Sequence, residues 1–195
     1  MIAGVFLAAG AGRRFGADKL LADVGGKPLI YHSLKPAVES SLPRVYVVTG
    51  AANAALERRI GELFPAGDKI VTVHNKHPQR GMMSSLKAAL RTLDPDCSGA
   101  MVLLADMPGL TPPLIDTLLG AFDNKDTIIV PECNGEWRHP RIIPKRYFPD
   151  FLRLDDDASG MQVIDRHRGD VQVITTGREP DYADIDSPAD LDAFS

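Results

Sequence analysis

A chain of 195 residues, 44% hydrophobic and 25% charged, can bury roughly 70% of its unfolded surface around one core, and this composition excludes disordered and fibrous classes. A net charge of -4, from 22 Lys and Arg against 26 Asp and Glu, argues against a general nucleic-acid or membrane-surface binder. Cys97 and Cys133 form no CxxC pattern, so neither a zinc site nor a disulfide framework is expected and a reducing cytoplasm fits.

The first apolar run, IAGVFLA (2–8), is continuous and leads straight into a glycine loop, so it reads as a buried strand and not as a signal peptide. The loop LAAGAGRRFGADK (7–19) carries Gly10, Gly12 and Gly16 together with Arg13, Arg14 and Lys19. A dinucleotide fingerprint would need its third glycine one residue earlier, and a P-loop would need Lys and Ser or Thr where Ala17 and Asp18 stand. Fixed cations suit a triphosphate better, because they meet the charge that develops on a leaving pyrophosphate.

Helical patterns and apolar runs then alternate. PLIYHSLKPAVES (28–40) predicts a helix kinked or broken at Lys35-Pro36. RVYVVTG (44–50) predicts a strand, ANAALERRIGELF (52–64) a helix, and KIVTVH (69–74) another strand. In NKHPQRGMMSSL (75–86), Gly81 permits close backbone approach, and Ser84 and Ser85 open a helix with hydroxyls and free amides for a base, ribose or phosphate. His74 and His77 have no further ligands nearby in sequence and receive no metal assignment.

AMVLLAD (100–106) predicts a strand ending on Asp106, with Met107-Pro108 turning the chain away at the carboxyl edge, where open α/β sheets bind ligands. A carboxylate there can hold magnesium, which keeps most of its coordination for water and phosphate oxygens. After the helix PPLIDTLLGAF (112–122) and the strand TIIVP (127–131), residues 132–161 turn rich in Pro, Gly and charge and read as an inserted hairpin and loops on the acceptor side, at one end of the sheet. A strand VQVITT (171–176) and a last helix in SPADLDAF, capped by Ser187 with Pro188 in its first turn, complete the pattern. DIDSPADL (184–191) supplies a second carboxylate, Asp184 or Asp186. Strand alternating with helix, without repeat or linker, predicts one α/β domain over 1–195 with a mostly parallel sheet and right-handed crossovers.

In this order, LAAGAGRRFGADKLL, GGKPL, RGMMSSL, LLADMPGL and DIDSPADL resemble the nucleotidyltransferases of molybdenum-cofactor maturation, and among them the cytidylyltransferases, over nearly the whole chain. The resemblance implies a three-layer α/β/α sandwich with a Rossmann-like sheet of the nucleotide-diphospho-sugar transferase type. It implies a magnesium-dependent reaction in which the terminal phosphate of molybdopterin attacks the nucleotide α-phosphate and pyrophosphate leaves. Carried over by position, Leu7, Ala8, Ala9, Gly10, Ala11, Gly12 and Arg13 lie along the nucleotide, with Asn75, Gly81, Ser84 and Ser85 at base and ribose. Arg14, Lys19 and Asp106 are catalytic, and Asp106 and Asp186 hold the metal. Leu7-Ala8-Ala9-Gly10, with Ala9 where GTP users carry glycine, implies CTP in preference to GTP. A molybdenum hydroxylase is the implied receiving enzyme.

The acceptor end departs from the family. Arg138-His139-Pro140 stands for Gly-His-Pro. LDDDASGM (154–161) stands for Leu-x-Gly-Asp-x-Gly-Ala-Arg, so that Met161 replaces an arginine while Asp157 keeps its place. His139 and Asp157 are the implied acceptor ligands. Three readings stand beside cytidylyl transfer: GTP as donor, a different phosphorylated metabolite as acceptor, or a non-catalytic cofactor carrier. A nicotinamide-dependent oxidoreductase is disfavoured by the late third glycine.

Overall fold

The computed structural model describes residues 1–10, 19–50, 53–65, 67, 69–122 and 126–194. Four strands lie side by side and parallel: β1 (Ile2–Leu7), β4 (Val45–Gly50), β5 (Ile70–Asn75) and β6 (Gly99–Leu104), in the order β5-β4-β1-β6. Beyond β6 comes β9 (Arg141–Pro144), which runs antiparallel, then β7 (Ile128–Cys133) and β10 (Val171–Thr175), which recover the first direction. A short β8 (Glu136–Trp137) pairs back on β7, and β2 (Asp23–Val24) with β3 (Lys27–Pro28) makes a separate ribbon. The expected mostly parallel α/β sheet is present. Burial grades with position in it: every residue of the central β1 is buried, whereas the outermost β5 and β10 are partly open. That is why the central run is continuously apolar.

Alternation along the strands feeds two cores. Ile2 and Phe6 of β1 join Val45, Val47, Met101 and Leu103 on one face, against α1 (Leu29–Glu39), α2 (Ala54–Leu63) and α4 (Pro112–Ala121). Ala3, Val5 and Leu7 join Tyr46, Val48 and Val102 on the other, against α3 (Met82–Leu90), α5 (Phe148–Arg153) and α6 (Met161–Arg166). The result is helix, sheet and helix in three layers. The last helix, α7 (Pro188–Phe194), packs its Leu191 on the first core.

Two expectations are corrected. The α1 helix is not broken at Pro36. Leu29, Ile30, Leu34, Pro36 and Ala37 are all buried in it, and the ~1.5–3 kcal/mol gained by burying each large side chain outweighs one absent hydrogen bond. The segment after Pro131 is more than a hairpin and loops, since β9 enters the sheet between β6 and β7. Its four residues, of which Arg141 is charged and Pro144 a proline, with Pro140 just before, are too short a run to stand out by periodicity. The hairpin itself is there, turning on Asn134 (φ 55°) and Gly135 (φ 81°), the left-handed pair that a two-residue loop needs. No helix among the described residues is long and apolar enough to cross a membrane.

Candidate active site at the carboxyl edge of the sheet

The chain leaves β1 toward β4 on one side and returns through β6 on the other, so the crevice between the carboxyl ends of β1 and β6 is the point where strand order reverses. The Ala105 amide donates to the Leu7 carbonyl (3.2 Å), extending the pairing to the lip of that crevice. Asp106 follows directly. The Ile185 amide donates to the Asp106 carbonyl (2.8 Å), and Ile185 is buried between two exposed neighbours, Asp184 and Asp186. The alternation Asp-Ile-Asp therefore anchors the C-terminal segment by its apolar middle and leaves both carboxylates at the site.

Lys19 is delivered from the opposite side by a single 3-10 turn, Lys19–Leu21, whose Leu20 is buried. Its side chain is only 11% exposed. The Nζ donates to Asp106 Oδ2 at 3.3 Å and stands 3.7 Å from Asp186 Oδ1. Lys19 and Asp106 wall a small cavity of about 100 Å3 with Leu7, Ala8 and Gly10. The Asp184 carboxyl is pushed up to about 6, by surrounding protein first and then by repulsion from Asp106 and Asp186, although its open surface tempers the first effect. One ammonium thus pairs with two acids and bears on a third, Asp184, from farther away. Among the described residues no three acidic, His or Cys side chains form a ready-made metal cage. The donors that do converge are hard carboxylate oxygens, which suits a cation that takes its other ligands from phosphates and water. Ala11, Gly12, Arg13 and Arg14 lie outside the described residues.

A second cluster forms at the end of β5. The Asn75 amide nitrogen donates to Ser84 Oγ (2.8 Å) and Ser85 Oγ (3.0 Å), and its oxygen accepts from the His77 amide (2.9 Å). Ser84 Oγ also reaches the carbonyls of Gly81 (2.8 Å) and His77 (3.1 Å). These expected base and ribose ligands are brought together, and they are engaged with one another in a buried knot that shapes the 75–85 turn. Gly81, at φ 115°, sits against the backbone of Asp156 and Asp157. Asp157 is exposed, while Asp156 accepts from Lys87 Nζ (2.8 Å) and lies 3.5 Å from Arg80. The Lys87 hydrogen bond holds the Asp156 carboxyl below its usual range. Lys87 is nearly buried and also donates to the Leu154 carbonyl. Sequence reasoning missed it, because a lysine in a helix reads as a solvated face until something is known to pack on it.

On the acceptor side, β9 runs backward and so presents its first residues at the functional edge, with Arg141 paired opposite Val102. His139 Nδ1 stands 3.4 Å from the Val102 carbonyl. Burial, and then the neighbouring Arg141 charge, lower its imidazole to about 3, so the ring is neutral at ordinary pH. Arg141 Nη1 lies 2.8 Å from Met161 Sδ. A guanidinium therefore stands beside the position where the family pattern carries its arginine, delivered from β9 instead. Arg138, the other departure, pairs with Glu136 and Glu179 at 2.8 Å each and ties the hairpin to the C-terminal segment. Its buried Nε has no hydrogen-bond partner among the described residues.

Residues 4–171 match the family described as MobA-like NTP transferase domain. The chain belongs to that family. The chain is similar to a probable molybdenum cofactor guanylyltransferase from Pyrococcus horikoshii, 32% identical over 139 residues that cover 71% of this chain and 64% of that protein. The crystal structure of a Mycobacterium tuberculosis rv0371c homolog from Mycobacterium sp. strain JC1 superposes with a TM-score of 0.81 at 28% identity, covering 98% of this chain and 93% of that one. Rv0371c of Mycobacterium tuberculosis H37Rv, solved in complex with manganese, has the same fold at 21% identity (TM-score 0.77, 99% of this chain and 97% of that one). The MobA-like assignment makes the chain an NTP transferase, the enzyme class expected from the motifs, on the expected fold. Cytidylyl specificity receives no support from these relatives.

Proposed function

We propose that the protein transfers a nucleoside monophosphate from a nucleoside triphosphate to the terminal phosphate of a molybdopterin acceptor, with release of pyrophosphate. The observation that carries this reading is the Lys19 ammonium set between Asp106 and Asp186 at the crevice where strand order reverses. The name of the Pyrococcus relative supports GTP as the donor. Cytidylyl transfer is the second reading, carried by Ala9, whose side chain packs partly buried just past β1 where it would crowd a purine.

In the reaction an acceptor phosphate oxygen forms a bond to the α-phosphorus while the bond from that phosphorus to the bridging oxygen breaks, and the electron pair leaves on pyrophosphate. An already ionised phosphate needs no general base. Lys19 supplies a fixed positive charge where negative charge builds on the α-phosphate and leaving group. Leu7, Ala8 and Gly10 line the floor along which the nucleotide lies. Asp106 and Asp186 would hold magnesium, which neutralises and orients phosphate oxygens when bound; that Rv0371c was solved in complex with manganese supports a divalent ion on this fold.

Calorimetric titration with GTP, CTP, ATP and NAD, with and without magnesium, followed by a pyrophosphate-release assay on molybdopterin, tests the reading. Magnesium-dependent binding of one triphosphate and stoichiometric pyrophosphate release are expected, and GTP against CTP decides the base. Binding of NAD alone, or of no triphosphate, overturns it. Binding without release on any phosphorylated acceptor would make the protein a carrier.

A further inference from the structure

At one margin of the sheet stands β5, paired only with β4. The Val45 amide of β4 donates to the Lys69 carbonyl (2.7 Å). In a parallel ladder the residues that bond to a neighbour alternate, so Lys69, Val71, Val73 and Asn75 face β4. Ile70, Thr72 and His74 therefore direct their amides and carbonyls outward, and among the described residues no further strand pairs with them. Such an edge is a template for one more strand.

Along that edge runs a groove of about 550 Å3, with Thr72 and His74 on one bank and Lys87 and Arg91 of the α3 turn on the other. Lys76 and Arg80 close one end. These four cations face a single lining carboxylate, Asp156, in a chain whose net charge is -4. Asp156 is already engaged, by Lys87 Nζ at 2.8 Å and by Arg80 Nη1 at 3.5 Å. Lys76 and Arg91 are exposed, and among the described residues neither comes within ion-pair distance of a carboxylate: the nearby Asp94 is taken by Arg44 (2.7 Å). Glu57 bears on His74 (3.2 Å) from α2, on the opposite face of the sheet.

Charge on an edge strand commonly blocks a neighbour, but Ile70–His74 itself carries no Lys, Arg, Asp or Glu. The cations stand on the far bank and at the end, where they meet the side chains of an added strand and leave its path open. Backbone donors and acceptors at alternate residues match a peptide, and no Phe, Tyr or Trp lines the groove for a nucleic-acid base to stack on.

We propose that the β5 edge docks an extended acidic segment of a partner protein as one more strand of the sheet. Main-chain bonds to Ile70, Thr72 and His74 supply the affinity, and Lys76, Arg80 and Arg91 select for acids. Because side chains alternate across a strand, the acids fall at every second residue of the segment, on the side that faces α3. The docking uses no part of the transfer reaction.

Fluorescence anisotropy tests it with a labelled eight-residue peptide of alternating Glu and Thr. The controls are a Lys and Thr counterpart, and the acidic peptide N-methylated along one edge, which keeps the charge and loses the pairing. The acidic peptide should bind the unmodified protein at least tenfold more tightly than either control, and rising salt should weaken it. Lys76→Glu combined with Arg91→Glu should abolish binding. Thr72→Pro deletes one outward amide where an edge strand tolerates proline, and should weaken binding at least threefold with every charge intact. Backbone and charge carry the contact, so a generic sequence suffices and its failure to bind the unmodified protein overturns the proposal. Equal binding of the N-methylated peptide overturns it whether or not the variants fold, as does either variant that melts normally and binds unchanged. Tighter binding of an oligothymidylate of equal charge would make the groove a polyanion site and overturns the peptide reading.

Discussion

Gly81→Ala should destabilise the protein strongly, and for two separable reasons. Gly81 has φ 115° and ψ 172°, a region essentially closed to residues with a side chain, at a cost of ~1–3 kcal/mol. A β-carbon there would also lie 2.7 Å from the Asp156 carbonyl oxygen and 3.2 Å from the Asp157 α-carbon, both backbone atoms that cannot rotate away. Overpacking of that kind adds ~1–3 kcal/mol, so the total is ~2–6 kcal/mol. Gly135 provides the control, because its φ is also positive (81°) while nothing lies within 4 Å of its would-be β-carbon. Gly135→Ala should therefore show conformational strain alone, ~1–2 kcal/mol. Urea unfolding at constant m-value measures both. If the two variants lose the same stability, the close approach between the 75–85 turn and the 156–157 loop is not as described.

Lys19→Met should lower turnover ~10²–10³-fold, the usual cost of one transition-state charge, with much less change in acceptor KM; a loss under threefold would remove Lys19 from the chemistry. His139, lowered to about 3 in the folded chain against 6.5 unfolded, makes the unfolded state bind more protons between those values. Its contribution is thus present above pH 6.5 and is lost as pH falls toward 3, by at most ~3 kcal/mol between pH 7 and 4 and less where cavity water screens it. Chemical denaturation of the parent and of His139→Gln across that window should show the steeper slope in the parent, and parallel slopes would refute the assignment. Gly120→Ala, inside α4 with open space around it, should stabilise by ~0.5–1 kcal/mol and raise the melting temperature by a few degrees, which calorimetry would detect.

Much of the fold can be read in the sequence because the central strands are buried on both sides, so their apolar runs are unbroken, and because the helices between them carry clear apolar stripes. Asn53 and Thr111 cap α2 and α4 through hydrogen bonds to Leu56 and Leu114, and Ser187 and Asp190 cap α7 reciprocally, as the Ser-Pro start suggests. The edge residues Leu7, Lys19, Asp106 and Asp186 converge because they follow strand ends and an anchored Asp-Ile-Asp segment, both of which leave local signatures. What escapes is set by long-range contact. The burial of Lys87 depends on Leu154 and Asp156, 67 and 69 residues away. The placement of Arg141 depends on β9 entering the sheet in reverse, which no local pattern in Arg141–Pro144 announces.

That reversed strand also divides the labour of the molecule. In the proposed reaction the nucleotide lies at the ends of β1 and β6, whereas His139 and Arg141 arrive at the start of β9, after the hairpin that turns at Asn134-Gly135. Exchanging the stretch 134–141 for one of another length or chemistry would re-address the acceptor side without touching a single strand end that carries the nucleotide. Such a graft has one obligate companion, since Arg138 is held by Glu179 on the C-terminal segment, and a loop transplanted without that carboxylate would arrive untethered. If the proposed reaction holds, specificity on this scaffold is a cassette with a latch, whose acceptor end can be varied apart from its donor end.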